Sequence, residues 1–140
     1  MEDNNKLRGM DGLNKLVAAI IDECKEVHTN VGRGLYASVY KQMLYQGLMK
    51  KGMYVQQHVP VYAPDDQLQV QVDLKAEFVV ENSVICEIKT VEAILPMHKK
   101  SLATFLRLSN LPVGLLVNFK EPNVKNGIVK MVNTSYKKVF

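Results

Sequence analysis

The chain has 140 residues, 47% hydrophobic and 23% charged, enough for a single domain that closes an apolar core without staples. Its 18 Lys and Arg against 14 Asp and Glu leave a formal net charge of +4, a mild excess that favours an anionic partner without demanding one. Two cysteines far apart in the chain, Cys24 and Cys86, lack metal-ligand spacing and argue against a zinc site or a disulfide framework; both read as small buried apolar residues.

The opening MEDNNKLRGMDG carries both signs of charge and lacks the apolar centre of a signal peptide. No apolar run approaches the roughly 20 residues that span a bilayer. The expectation is a cytoplasmic protein with no membrane partner, one domain over 1–140 with 1–11 as a flexible N-terminal segment.

From Asp11, a candidate N-cap, to about Asn30, apolar residues recur at helical spacing: Leu13, Val17, Ile20, Ile21, Cys24 and Val27. The glycines of VGRG, residues 31–34, suit a helix stop and a tight reversal. A second helix is expected over 35–51, with Leu35, Tyr36, Val39, Tyr40, Met43, Leu44 and Leu48 on a broad apolar face and Gly52 closing it.

The period then changes from 3.6 to 2. Residues 54–63 predict a strand that Pro60 pushes toward a sheet edge or a bend, and Pro64, Asp65 and Asp66 predict a turn. From Leu68 to Val80 apolar and polar residues alternate strictly, with Leu74, Ala76, Phe78 and Val80 on one face and Asp73, Lys75 and Glu77 on the other. Glu81, Asn82 and Ser83 read as a turn, and VICEIKTV, residues 84–91, as the return strand. Pro96 opens a third helix through about Ser109. The nearly continuous apolar run PVGLLVNF, residues 112–119, predicts an interior strand, and a last strand is expected near 127–133.

A three-residue turn at 81–83 sets Glu77 opposite Glu87 and Lys75 opposite Lys89, all four on one face. Opposed carboxylates repel, and VICEIKTV is too apolar for an exposed ribbon, so the charges need compensation. Hard cations take oxygen ligands, commonly one or two carboxylates with water and phosphate oxygens. A lysine beside such an ion can orient or deprotonate an attacking water, or steady charge on phosphorus. Glu77, Glu87 and Lys89 are thus the minimum set for metal-assisted phosphodiester hydrolysis. The plainer alternative is a Glu/Lys ladder in which diagonal neighbours neutralise one another.

These residues resemble the GxxExxY proteins, a group assigned to the PD-(D/E)XK nuclease superfamily. AEFVVENSVICEIKTV is similar to that family's acid, nine intervening residues and Glu-x-Lys, with Glu77 standing where aspartate is usual. GRGLYASVYKQML, residues 32–44, resembles the naming motif at Gly34 and Tyr40, with Ala37 in place of its glutamate. HKKSLATFL, residues 98–106, resembles a later helix at His98, with Ser101 in place of glutamine and Phe105 in place of tyrosine.

The resemblance implies an α/β, restriction-endonuclease-like fold: a central mixed sheet flanked by helices in the order ααβββαββ. It also implies a nuclease using Mg2+ or Mn2+ on nucleic acid, DNA before RNA. Glu77, Glu87 and the carbonyl of Ile88 would hold metal, and Lys89 would position the nucleophile. Asp73, Lys75, His98, Ser101 and Tyr40 are accessory candidates. The departures at Ala37, Glu77 and Ser101 keep a second expectation open, a catalytically degenerate nuclease fold acting as a nucleic-acid-binding or regulatory module.

Overall fold

The computed structural model describes residues 9–61 and 74–138, and its elements follow the expected order. Helix α1 (Met10–Val31) buries Leu13, Leu16, Val17, Ile20, Cys24 and Val27 along one stripe. Gly9 rather than Asp11 occupies the N-cap; Asp11 lies in the first turn, where the helix dipole favours its charge. Gly32 ends the helix at φ 74°, a left-handed conformation that glycine adopts without a Cβ penalty.

Helix α2 (Ala37–Lys50) starts two residues later than the apolar pattern implied and buries a narrower face, Tyr40, Leu44 and Leu48. Leu35 lies in the bend before it and Tyr36 is its extended N-cap, and with Val39 they remain exposed; Tyr36 is 83% accessible.

Five strands form one sheet in the order β1 (Val55–Pro60), β2 (Lys75–Val80), β3 (Val84–Lys89), β4 (Val113–Asn118) and β5 (Ile128–Val132). Pro60 lies on the edge strand, where its missing N–H costs no ladder bond. Helix α3 (Pro96–Ser109) carries the chain between β3 and β4, which pair in parallel; the other neighbours are antiparallel. The predicted turn at 64–66 and the alternating stretch 68–73, including Asp73, lie outside the described residues.

Apolar layers cover both faces of the sheet. On one side α1 and α2 pack on Phe78, Val80, Cys86, Ile88, Leu115 and Val117. On the other, Leu102, Phe105 and Leu106 of α3 pack on Val79, Ile85 and Leu116. Every residue of β4 is buried, as its unbroken apolar run predicts.

The hairpin register matches the three-residue turn: Val80 pairs with Val84, Val79 with Ile85 and Phe78 with Cys86. The strict alternation of β2 does not hold. Ala76 joins Val79 and Ile85 in the α3 layer, whereas Phe78 and Val80 face α1 and α2. The face changes at Glu77, where both ladders are interrupted. Toward β3 pairing stops at Phe78–Cys86; toward β1 it passes from Gln57–Phe78 to Val59–Ala76, leaving out His58 and Glu77. His58 there has φ 51°, a left-handed backbone that costs a non-glycine residue about 1–2 kcal/mol.

Candidate active site

Glu77, Glu87 and Lys89 converge where β2 and β3 part. Freed from the ladder, the backbone N–H of Glu77 donates to Glu87 Oε2 at 2.9 Å, and the N–H of Ile88 donates to Glu77 Oε1 at 2.8 Å. Each carboxylate therefore takes the place of a missing strand–strand bond. Backbone N–H groups of a strand lie near the sheet plane, so both acids sit in the opening between strands rather than standing on a face. The carbonyl of a strand residue points to the same side as its N–H, which directs that of Ile88 into the same opening.

Glu77 Oε2 meets two amines, Lys41 Nζ at 3.3 Å from α2 and Lys89 Nζ at 3.9 Å from β3. Glu87 is 6% exposed. Burial, and after it the adjacent Glu77 carboxylate, pushes its pKa from 4.5 up to about 7; the Glu77 N–H, Lys89 and Lys41 oppose that rise without cancelling it. Two acids so close, one desolvated, hold negative charge reluctantly unless a cation joins them.

The expected opposition of Lys75 and Lys89 is absent. Lys75 is exposed and pairs in register with Pro60 of β1, beyond Phe78–Cys86, the last β2–β3 pair. His98 accepts the Leu95 N–H on Nδ1 at 2.9 Å and closes the first turn of α3. Ser101 is exposed and shares a hollow with Leu74, Met97 and Phe105, none of them part of the acid cluster.

Tyr40 is fully buried. Its ring stacks on Phe119 at 4.5 Å, and its hydroxyl donates to Gly32 O at 2.6 Å while accepting the Leu35 N–H at 3.2 Å. It fastens the α1–α2 loop and touches no carboxylate of the cluster. Lys41, by contrast, escaped the sequence reading, although it lies one helical turn beyond Ala37 and so on the same side of α2. That spacing was the available signal.

Among the described residues no three His, Cys, Asp or Glu side chains come together. The donor set fits a hard cation at its minimum: two carboxylates and one strand carbonyl, the kind of oxygen ligands magnesium accepts. The observation in its favour is geometric: both carboxylates reach into one opening, held by backbone N–H groups of the facing strands, and Glu87 is buried there. Ala37 contributes no oxygen from α2.

Five mixed strands between helical layers, with an acid pair and lysine at the parting of two central strands, define an α/β domain of restriction-endonuclease-like architecture. The chain belongs to the PD-(D/E)XK nuclease superfamily, whose family model matches residues 14–131. No curated protein and no solved structure matches the chain. No described helix is long and apolar enough to cross a membrane.

Proposed function

We propose that this protein is a metal-dependent nuclease that hydrolyses phosphodiester bonds of nucleic acid, as its likeness to the GxxExxY proteins implies. The observation that carries the reading is the convergence of Glu77, Glu87 and Lys89 in the opening between β2 and β3. Glu77, Glu87 and the Ile88 carbonyl are the groups that would hold Mg2+ or Mn2+. Bound there, the cation supplies Lewis acidity toward phosphate oxygens.

The protein's own contributions are electrostatic and positional. Lys89, 3.9 Å from Glu77, orients the attacking water and steadies negative charge growing on phosphorus. Glu87 and Glu77 each accept a backbone N–H across the opening, which fixes the two carboxylates where they would hold the cation. The formal charge of +4 favours approach to a polyanion.

The test is cleavage of labelled DNA and RNA in magnesium or manganese. Cutting that vanishes in Lys89→Ala and in chelator supports the reading; metal-independent cutting, or cutting unchanged in Lys89→Ala, contradicts it.

One observation favours a second reading. Lys41 places a cation of the chain's own against Glu77, while Ala37 supplies no acid. A binding or regulatory module built on the nuclease fold would show nucleic-acid affinity that falls steeply with salt and no cleavage in any metal.

A further inference from the structure

A cleft of about 500 Å³ opens beside Glu77, walled by α2 on one side and by the edge strand β1 on the other. Its volume lies within the range of small-ligand sites, about 300–1,000 Å³. Ser38, Gln42 and Gln46 recur every four residues along α2 and line one wall as a polar stripe. Gln57 and His58 line the other.

Successive residues of a regular strand point to opposite faces, so Gln57 and His58 cannot both address one cleft in ideal β geometry. The left-handed backbone of His58, φ 51°, removes that constraint at the position where the β1–β2 ladder skips Glu77. The strained residue and the interrupted ladder coincide with an exposed His58 that lines the same cleft as Glu77.

The chemistry of the lining is selective. Lys41 and Glu77 provide charge at one end, and the rest of the polar wall is mainly neutral amide. A groove for phosphates wants lysine and arginine. Amides, each offering donors and an acceptor, match the edges of nucleobases. The ring of Tyr45, half-buried in the same wall, offers an aromatic surface to a base.

We propose that this cleft seats one unpaired nucleotide of the substrate next to the scissile phosphate, its base read by Gln42, Gln46 and Gln57 and its phosphate drawn to Lys41. The inference rests on the nuclease reading and names its substrate: single-stranded or locally unpaired nucleic acid. His58 joins the amides as a further hydrogen-bonding group toward the bound nucleotide.

The experiment is fluorescence anisotropy in calcium, an oxygen-seeking cation, with a short labelled single-stranded DNA, the RNA of the same sequence, and the blunt duplex. It uses wild type, the double variant Gln42→Ala/Gln57→Ala, and His58→Ala, all at exposed positions. The expected result is single-strand affinity at least about tenfold above duplex affinity, with the double variant losing about tenfold on single strands and nothing on duplex. Tighter binding of either single strand assigns the sugar that the cleft prefers.

Equal affinity for duplex, or unchanged single-strand binding in both variants, would overturn the assignment. Cleavage followed in parallel separates the two claims. Variant-sensitive single-strand binding without cleavage supports the cleft and sinks the hydrolytic reading, while metal-dependent cleavage with variant-insensitive binding does the reverse.

Discussion

Lys41 Nζ stands 3.3 Å from Glu77 Oε2, nearer than Lys89 at 3.9 Å. An amine from α2 thus neutralises the very oxygen that a cation in the opening would use. Lys41→Met should tighten magnesium binding about fivefold, the effect of removing a partly exposed competing charge worth about 1 kcal/mol. Calorimetry on the variant checks it; weaker binding would mean that Lys41 helps to build the metal site.

Ala37 lies one turn before Lys41 on α2. Ala37→Glu adds a carboxylate on that side of the helix, and combined with Lys41→Met it should raise metal affinity beyond the single change. A double-mutant comparison by the same titration reads the coupling. Equal affinities for the single and double variants would place residue 37 out of reach of the opening.

The raised pKa of Glu87 makes stability depend on pH in a defined direction. Between about 4.5, its unfolded value, and about 7, the folded protein holds more protons than the unfolded chain. This contribution is complete below the lower value and is lost as pH rises through the upper one, a loss of up to roughly 3 kcal/mol. Glu87→Gln keeps an acceptor for the Glu77 N–H without the charge. The variant should be more stable than wild type at pH 8 and equal to it near pH 4.5, by urea unfolding. Destabilisation at pH 8 would instead mark Glu87 as a residue kept to order the sheet.

Much of this arrangement could be read before any coordinates. The three-residue turn set the β2–β3 register, and with it Glu77 near Glu87, because pairing and alternation are local consequences of chain geometry. What alternation could not reveal was the break at Glu77, which coincides with a left-handed backbone at His58 on another strand. Lys41 was less legible: its partner lies across the helix–sheet interface, and only its place one turn beyond Ala37 set it apart from a solvated lysine. Tyr40 and His98 matched the family pattern, yet the structure uses both locally, one to hold a loop and one to close a helix turn.

Close packing between α3 and β4 gives a stability test away from the site. A Cβ on Gly114 would lie 2.7 Å from Leu102 Cδ1, and Leu102 is fully buried, so it cannot swing aside into solvent. Gly114→Ala should cost about 1–3 kcal/mol in chemical denaturation. A neutral result would mean that α3 shifts freely on the sheet.

Tyr40 offers a second. Tyr40→Phe keeps the ring on Phe119 but leaves Gly32 O and the Leu35 N–H without the hydroxyl. The expected cost is about 1–2 kcal/mol, with faster amide exchange at Leu35. Unchanged exchange there would show that the loop is held by other contacts.

The central claim is that Glu77 and Glu87 share one cation. Calorimetric titration of magnesium and of manganese into wild type and Glu87→Gln at pH 6.5 tests it most directly. Saturable binding with proton release in wild type, lost in Glu87→Gln, is the predicted result. No binding in either protein, or the same isotherm in both, would contradict it.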